Sequence, residues 1–177
     1  MEEKKEEIIT ECEEIVAYPN SVLRCKAKPI SEITEKESEL FEKMFVTMKN
    51  SKGVGLAAPQ IGVSLQMIVA NVGQDIVKLA NPVILKKKGR EVMSEGCLSV
   101  PGMSIDVKRA KEVTVGAMDS NGDIVQLRAT GLMARVLQHE IDHINGKLIV
   151  DYLNLFEKIK LYFKLKIRKK KPRMHTD

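Results

Sequence analysis

The sequence predicts an α+β fold, on three observations. Strand-like runs precede a motif-bearing helix, with none of the regular β-α-β alternation of a doubly wound sheet. Ser120-Asn121-Gly122-Asp123 separates two β-prone runs, which is a hairpin signal. Apolar residues at helical spacing mark one helix early in the chain and another near its end.

The elements follow in order. Residues 1–14 form an acidic extension, with seven Glu and two Lys. Leu23 to Pro29 reads as an extended lead-in, closed by Lys28-Pro29. Between Thr34 and Lys49, Leu40, Phe41, Met44, Phe45 and Met48 repeat at helical spacing and predict an amphipathic helix. Lys52-Gly53-Val54-Gly55 ends it. Gln66 to Val72 is strand-like, and Asn81-Pro82 starts a second short strand at Val83 to Leu85. Residues 94–102 read as a loop around Cys97. Val113 to Val115 and Ile124 to Leu127 are the hairpin strands. Thr130 is an N-cap for a helix from Gly131 to about Ile144, with Gly146 as its stop. Leu148 to Tyr152 is a short extended stretch. From Asn154 to about Ile167 an amphipathic helix closes the domain, with Leu155, Ile159 and Tyr162 directed at the body. The domain boundaries are therefore 15–167, with a basic tail at 168–177.

At 177 residues the chain fits one domain with a full core. It has no Trp, so that core must be aliphatic and Met-rich. No apolar run approaches the roughly 18–20 residues a membrane span needs. The start, Met1-Glu2-Glu3-Lys4-Lys5-Glu6-Glu7, lacks the basic-then-apolar order of a secretory signal. Three cysteines without close pairing do not make a disulfide framework, so a reducing cytoplasm is the simplest home. Net charge is +5, and it is polarised: residues 158–173 hold nine Lys or Arg and no acid. Such a basic end points to an anionic partner such as RNA. The competing reading is a solvated terminus.

The chemistry lies in Gln138-His139-Glu140-Ile141-Asp142-His143. On a helix, positions four apart share a face, so both imidazoles can reach one metal ion. Glu140 stands beside the first of them, where a general base for water activation belongs. Of the three histidines the last, His175, lies in the tail, so the third ligand must be Cys, Asp or Glu. Cys97 leads, because Gly96 frees the backbone near the ion and a thiolate binds Zn²⁺ or Fe²⁺ strongly. Cys12 and Cys25 read as ordinary thiols. Three protein ligands leave a coordination position open for water, as a catalytic site requires.

Three segments resemble the signature motifs of peptide deformylases, in the same order: Gly53-Val-Gly-Leu-Ala-Ala-Pro-Gln-Ile-Gly62, Glu95-Gly-Cys-Leu-Ser-Val-Pro-Gly102 and Gln138-His-Glu-Ile-Asp-His-Ile-Asn-Gly146. The resemblance covers about residues 16–165. It implies antiparallel sheets packed around a central metal-binding helix. It also implies a hydrolase that removes the formyl group from N-formylmethionyl nascent peptides. The chain departs from the pattern in its longer acidic start, and in Arg135, where some members carry an apolar residue.

The resemblance also assigns roles. Cys97, His139 and His143 hold the metal. The donor set suits Fe²⁺, Zn²⁺, Co²⁺ or Ni²⁺, and the resemblance favours Fe²⁺ as the native ion. Glu140 moves the proton from attacking water to the leaving amine. Gln60 and the Leu98 N–H donate to the oxyanion. Val54 and Gly55 admit the peptide backbone, and Met93, Leu132 and Val136 line an apolar slot with Val54. Asp142 and Glu95 are candidates for support behind the ligands. The tail is expected to meet ribosomal RNA. Two other readings remain: a zinc peptidase, and an RNA-binding module with a structural metal.

Overall fold

A computed structural model describes residues 12–161. Helix α1 (Glu35–Asn50) begins after Thr34, where the Glu37 carboxylate accepts from the Thr34 backbone N–H at 3.0 Å and from its hydroxyl, satisfying a backbone donor at the helix start. The chain turns away just after the helix, where Lys52 takes a left-handed backbone (φ 56°). Phe41, Met44 and Met48 are its buried stripe.

Seven strands follow. β1 (Gly55–Ala57), β2 (Met67–Val72), β3 (Asp75–Lys88), β6 (Glu112–Asp119) and β7 (Ile124–Thr130) form one antiparallel sheet in the order β1-β2-β3-β6-β7. β4 (Glu91–Gly96) and β5 (Ser104–Arg109) form a separate antiparallel pair. Helix α2 (Gly131–Ile144) packs against the large sheet and carries the motif.

The period of two in β2 explains the layering. Ile68 and Ala70 join the cluster built on Leu137, Ile141 and Ile144 of α2. Met67 and Val69 point the other way, into the cluster with Phe41, Met44 and Met48 of α1. A third cluster joins Ile105 and Val107 of β5 to Leu148, Ile149 and Val150 beyond α2, with Cys97 packed on its edge. The motif helix thus lies between the large sheet and the β4–β5 pair. None of the helices among the described residues is long and apolar enough to cross a membrane.

Helix α2 spans the predicted residues, and Gly146 stops it with φ 73°. Other expectations are corrected. The lead-in contains a turn of 3-10 helix at Ser21–Arg24 before it becomes extended. The strand expected at Val83 to Leu85 is part of the long β3, in which Asn81-Pro82 sits inside a register shift between Ala80 and Val83 instead of starting the strand. Such an irregularity is where a sheet tolerates Pro. The loop expected from residue 94 begins only after Gly96, because Ser94 and Glu95 belong to β4. Ile149–Tyr152 is 3-10 helix, not extended. Residues 155–161 are helical, but Leu155 and Ile159 are 76% and 45% exposed, and Leu161 is the buried contact. Tyr162, the rest of that helix, the tail and most of the acidic extension lie outside the described residues.

Candidate metal centre

Two elements bring three donors together. Helix α2 places His139 and His143 one turn apart, and the loop leaving β4 delivers Cys97. Sγ of Cys97 lies 3.2 Å from Nε2 of His143, which lies 3.2 Å from Nε2 of His139. All three ligating atoms fall within 4.8 Å of one another. Tetrahedral coordination with bonds of about 2.3 Å to sulfur and about 2.0–2.1 Å to nitrogen sets donors about 3.3–3.6 Å apart. One thiol and two imidazoles at this spacing therefore fit a single divalent ion.

The ring of His139 is oriented from behind. Its Nδ1 lies 3.0 Å from Oε2 of Glu95, so Nδ1 donates and Nε2 turns to the cluster. Glu95 is itself held by two guanidinium groups. Arg109 grips both oxygens, at 2.7 and 2.9 Å, and Arg135 reaches Oε1 at 2.7 Å. Arg109 also donates to Asp142 at 2.8 Å, and the Tyr152 hydroxyl donates to the same oxygen at 2.7 Å. Two cations and two carboxylates balance, which is what makes so much buried charge tolerable.

This network sets the protonation. Burial would raise the Glu95 pKa, but hydrogen bonds from His139 and Arg109 hold it down at about 2. Burial opposes charge on His139, yet hydrogen bonds to Cys97 and Glu95 raise its pKa to about 10. Burial, then the His139 charge, pushes His143 well below the usual histidine range. Burial raises Glu140 to about 7.

A cavity of about 740 Å³ opens over the cluster. Val54, Gly55, Gln60, Met93, Leu98, Leu132, Val136 and Glu140 all line it, together with Cys97 and His139. Val54, Met93 and Leu132 are exposed at its mouth, while Val136 is buried in its wall. Gln60 is no surface residue: it is 1% exposed. Its Oε1 accepts from the Ala57 N–H at 2.8 Å, leaving Nε2 to point at Ser99 Oγ (3.3 Å) and Cys97 Sγ (3.8 Å). Glu140 Oε2 and His143 Nδ1 are the two buried side-chain atoms without a partner among the described residues. An unpartnered buried carboxylate oxygen in a cavity wall wants a polar visitor.

Arg109 is the residue that sequence reasoning missed. Its signal was strand parity: Ile105, Val107 and Arg109 alternate inward with Asp106 and Lys108 outward. Arg135, seen in the sequence only as a departure, closes the network.

A family profile described as polypeptide deformylase matches residues 12–158. The chain belongs to that family. It is 51% identical over 132 residues to a peptide deformylase of Halothermothrix orenii, covering 73% of this chain and 86% of the relative. The crystal structure of a peptide deformylase from Legionella pneumophila superposes with a TM-score of 0.82 at 41% identity, over 92% of this chain and all of that one. A class I type b peptide deformylase from Acinetobacter baumannii, bound to Met-Ala-Ser, gives a TM-score of 0.78 at 30% identity, covering 82% of this chain and 100% of that one. The chain is accordingly a metal-dependent hydrolase that removes the N-formyl group from formylmethionyl nascent peptides.

Proposed function

We propose that deformylation is carried out by Cys97, His139 and His143 as metal ligands, with Glu140 as general acid and base. The observation that supports this most is the unpartnered Oε2 of buried Glu140, in the wall of the cavity over the three donors. When bound, the ion supplies Lewis-acid polarisation of the formyl carbonyl and brings the pKa of water towards ~7. Glu140 then takes the proton of the attacking water and returns it to the amine nitrogen as the C–N bond breaks. Formate and a free amino terminus are the products. Gln60 Nε2 and the Leu98 N–H donate to the oxyanion as charge develops on it. Gln60 is suited to this because its oxygen is already committed to Ala57, which fixes the amide with its donor turned to the cavity.

Gly55 and Val54 flank the peptide backbone, and Met93, Leu132 and Val136 receive the methionine side chain. The Met-Ala-Ser peptide in the Acinetobacter baumannii structure supports a cavity sized for a short peptide led by methionine. The native ion in this reading is Fe²⁺, with Zn²⁺, Co²⁺ and Ni²⁺ also accepted by one thiolate and two imidazoles. The catalytic unit is residues 15–167, working in the cytoplasm. The acidic stretch 1–14 and the basic tail 168–177 stand outside it, and the tail docks on ribosomal RNA. The test is anaerobic formate release from a formyl-Met peptide, with metal content measured on the same sample. Cys97→Ala should lose both metal and activity. A Cys97→Ala protein that keeps full metal overturns the ligand set, and metal-replete protein that releases no formate overturns the whole reading.

A further inference from the structure

A second hollow, of about 660 Å³, lies on the other flank of α2. Its lining is cationic. Lys87 comes from the end of β3, Arg90 from the turn into β4, Lys108 from β5 and Lys147 from the segment after α2. All four are exposed, and none makes an ion pair among the described residues. The one acid in the lining is Asp142, whose charge is already matched by Arg109 at 2.8 Å. A concave wall with four unmatched cations focuses a positive field into the hollow.

From this we infer that the hollow binds the phosphodiester backbone of RNA, without base preference. Recognition by charge follows from what the hollow lacks. Its aromatic ring, Tyr152, already carries Lys147 Nζ at 3.9 Å and Arg109 at 5.2 Å from its centroid. That ring has cations where a base would stack, and stacking is how single strands are otherwise held. Four cations from four separate segments suit a run of phosphates better than one small anion. The established activity, on nascent peptides, places the enzyme where RNA is the dominant anion. Arg109 is turned inward to Glu95 and Asp142, so occupancy of the hollow leaves the metal ligands undisturbed. The site is separate from the basic tail and from the catalytic reading.

The experiment uses the full-length, metal-loaded chain and a fluorescently labelled RNA of about 12 nucleotides and mixed sequence. Binding is followed by anisotropy across salt. Four neutralised phosphates on a single strand contribute a log–log salt slope of about −2.8, roughly 50-fold weakening from 50 to 200 mM salt. The tail adds its own slope, so the difference between proteins is what counts. Lys87→Gln/Arg90→Gln/Lys108→Gln should flatten the slope by about 2. It should also weaken binding several-fold or more at low salt. Formate release should be unchanged, which certifies the fold. Equal affinity and slope in the triple variant overturn the proposal. So does binding of inorganic pyrophosphate without binding of RNA, or displacement of RNA by poly-glutamate of matched charge at equal concentration.

Discussion

A methyl group added at Gly55 should disable the enzyme without touching its metal. An ideal Cβ at Gly55 would lie 2.6 Å from Val136 Cγ1 and 2.9 Å from Glu140 Cδ, and closer still to Glu140 Oε1. Carbon contacts are comfortable at about 3.5–4.0 Å, so relief of roughly 1 Å is needed. The strand cannot easily supply it, because Gly55 pairs with Ala70 of β2. Val136 cannot either, since a β-branched side chain on a helix has one favoured rotamer. The Glu140 carboxylate is the movable part. Misplacing a reacting group by about 1 Å costs on the order of 10²-fold, and losing a general base costs ~10²–10⁴. Gly55→Ala should therefore lower kcat/KM for a formyl-Met peptide by at least ~10², with metal content unchanged. Gly53→Ala is the control. Its tight contact would be the movable end of the Leu98 side chain, at 2.9 Å, with the Gly55 and Met48 carbonyl oxygens at 3.4 Å. That variant should lose about tenfold or less. If Gly55→Ala turns over within about threefold of the parent, the close approach does not position Glu140 and the reasoning fails.

Glu140→Ala should keep its metal by elemental analysis and lose at least ~10²-fold in turnover; near-normal turnover refutes its role. Gln60→Glu keeps the acceptor that Ala57 needs but loses the donor, so kcat should fall by ~10²–10³ with little loss of thermal stability; a pure KM effect makes Gln60 a ground-state binder. Arg109→Ala takes the fork from buried Glu95, which keeps Arg135, and the guanidinium partner from half-buried Asp142; it should cost about 3 kcal/mol, the low end for breaking a buried pair, read as roughly 10 °C in Tm. Arg135→Ala leaves the Arg109 fork in place and should cost clearly less, so equal losses would contradict the pairing argument. Asp151 is held below the usual range by hydrogen bonds from Arg24 and the Leu148 N–H, against the opposing effect of burial. Its stabilisation is present above the ordinary Asp pKa and fades as pH falls through the lowered one. Asp151→Asn should thus cost ~0.5–1 kcal/mol at pH 7 for this partly exposed pair, and the difference should shrink below pH about 4. A gap that widens in acid would reverse that sign.

What could be read from the sequence was local. Phe41, Met44 and Met48 recur at helical spacing and His139 and His143 sit one turn apart, so the buried face of α1 and the histidine face of α2 follow from spacing alone. The gathering of Cys97 beside the two histidines needed one further inference, from the shortage of histidines. Partners far apart in the chain were harder. β4 and β5 pair Glu91 with Arg109 through Gly96 with Ser104, and neither run is apolar enough to announce a strand. Asn81-Pro82 looked like a strand start because Pro usually ends a ladder, yet the register shift in β3 absorbs it. Leu155 and Ile159 followed a helical period but face solvent, and periodicity cannot say whether a surface exists to receive them.

The buried charges make the same point about the site. Read singly, Arg109 has no role, Arg135 is only a departure from the pattern, and Glu95 and Asp142 are only candidates for support behind the ligands. Together they form a neutral block that, among the described residues, meets the donor cluster through the hydrogen bond that His139 Nδ1 donates to Glu95. Removing one member leaves its partners with fewer counter-charges, so the residues depend on one another. That mutual requirement has no sequence spacing, since it joins β4, β5 and two turns of α2. It also gives Arg135 a reason to be there. An apolar residue at that position would leave Glu95 with Arg109 as its one guanidinium partner beside His139, and would take from the carbonyls of Val107 and Glu91 the guanidinium donors they have at 3.0 and 3.1 Å. In this chain the wall of the cavity and the support of the ligand are one structure, so a change in cavity shape at Arg135 is also a change in how His139 is held.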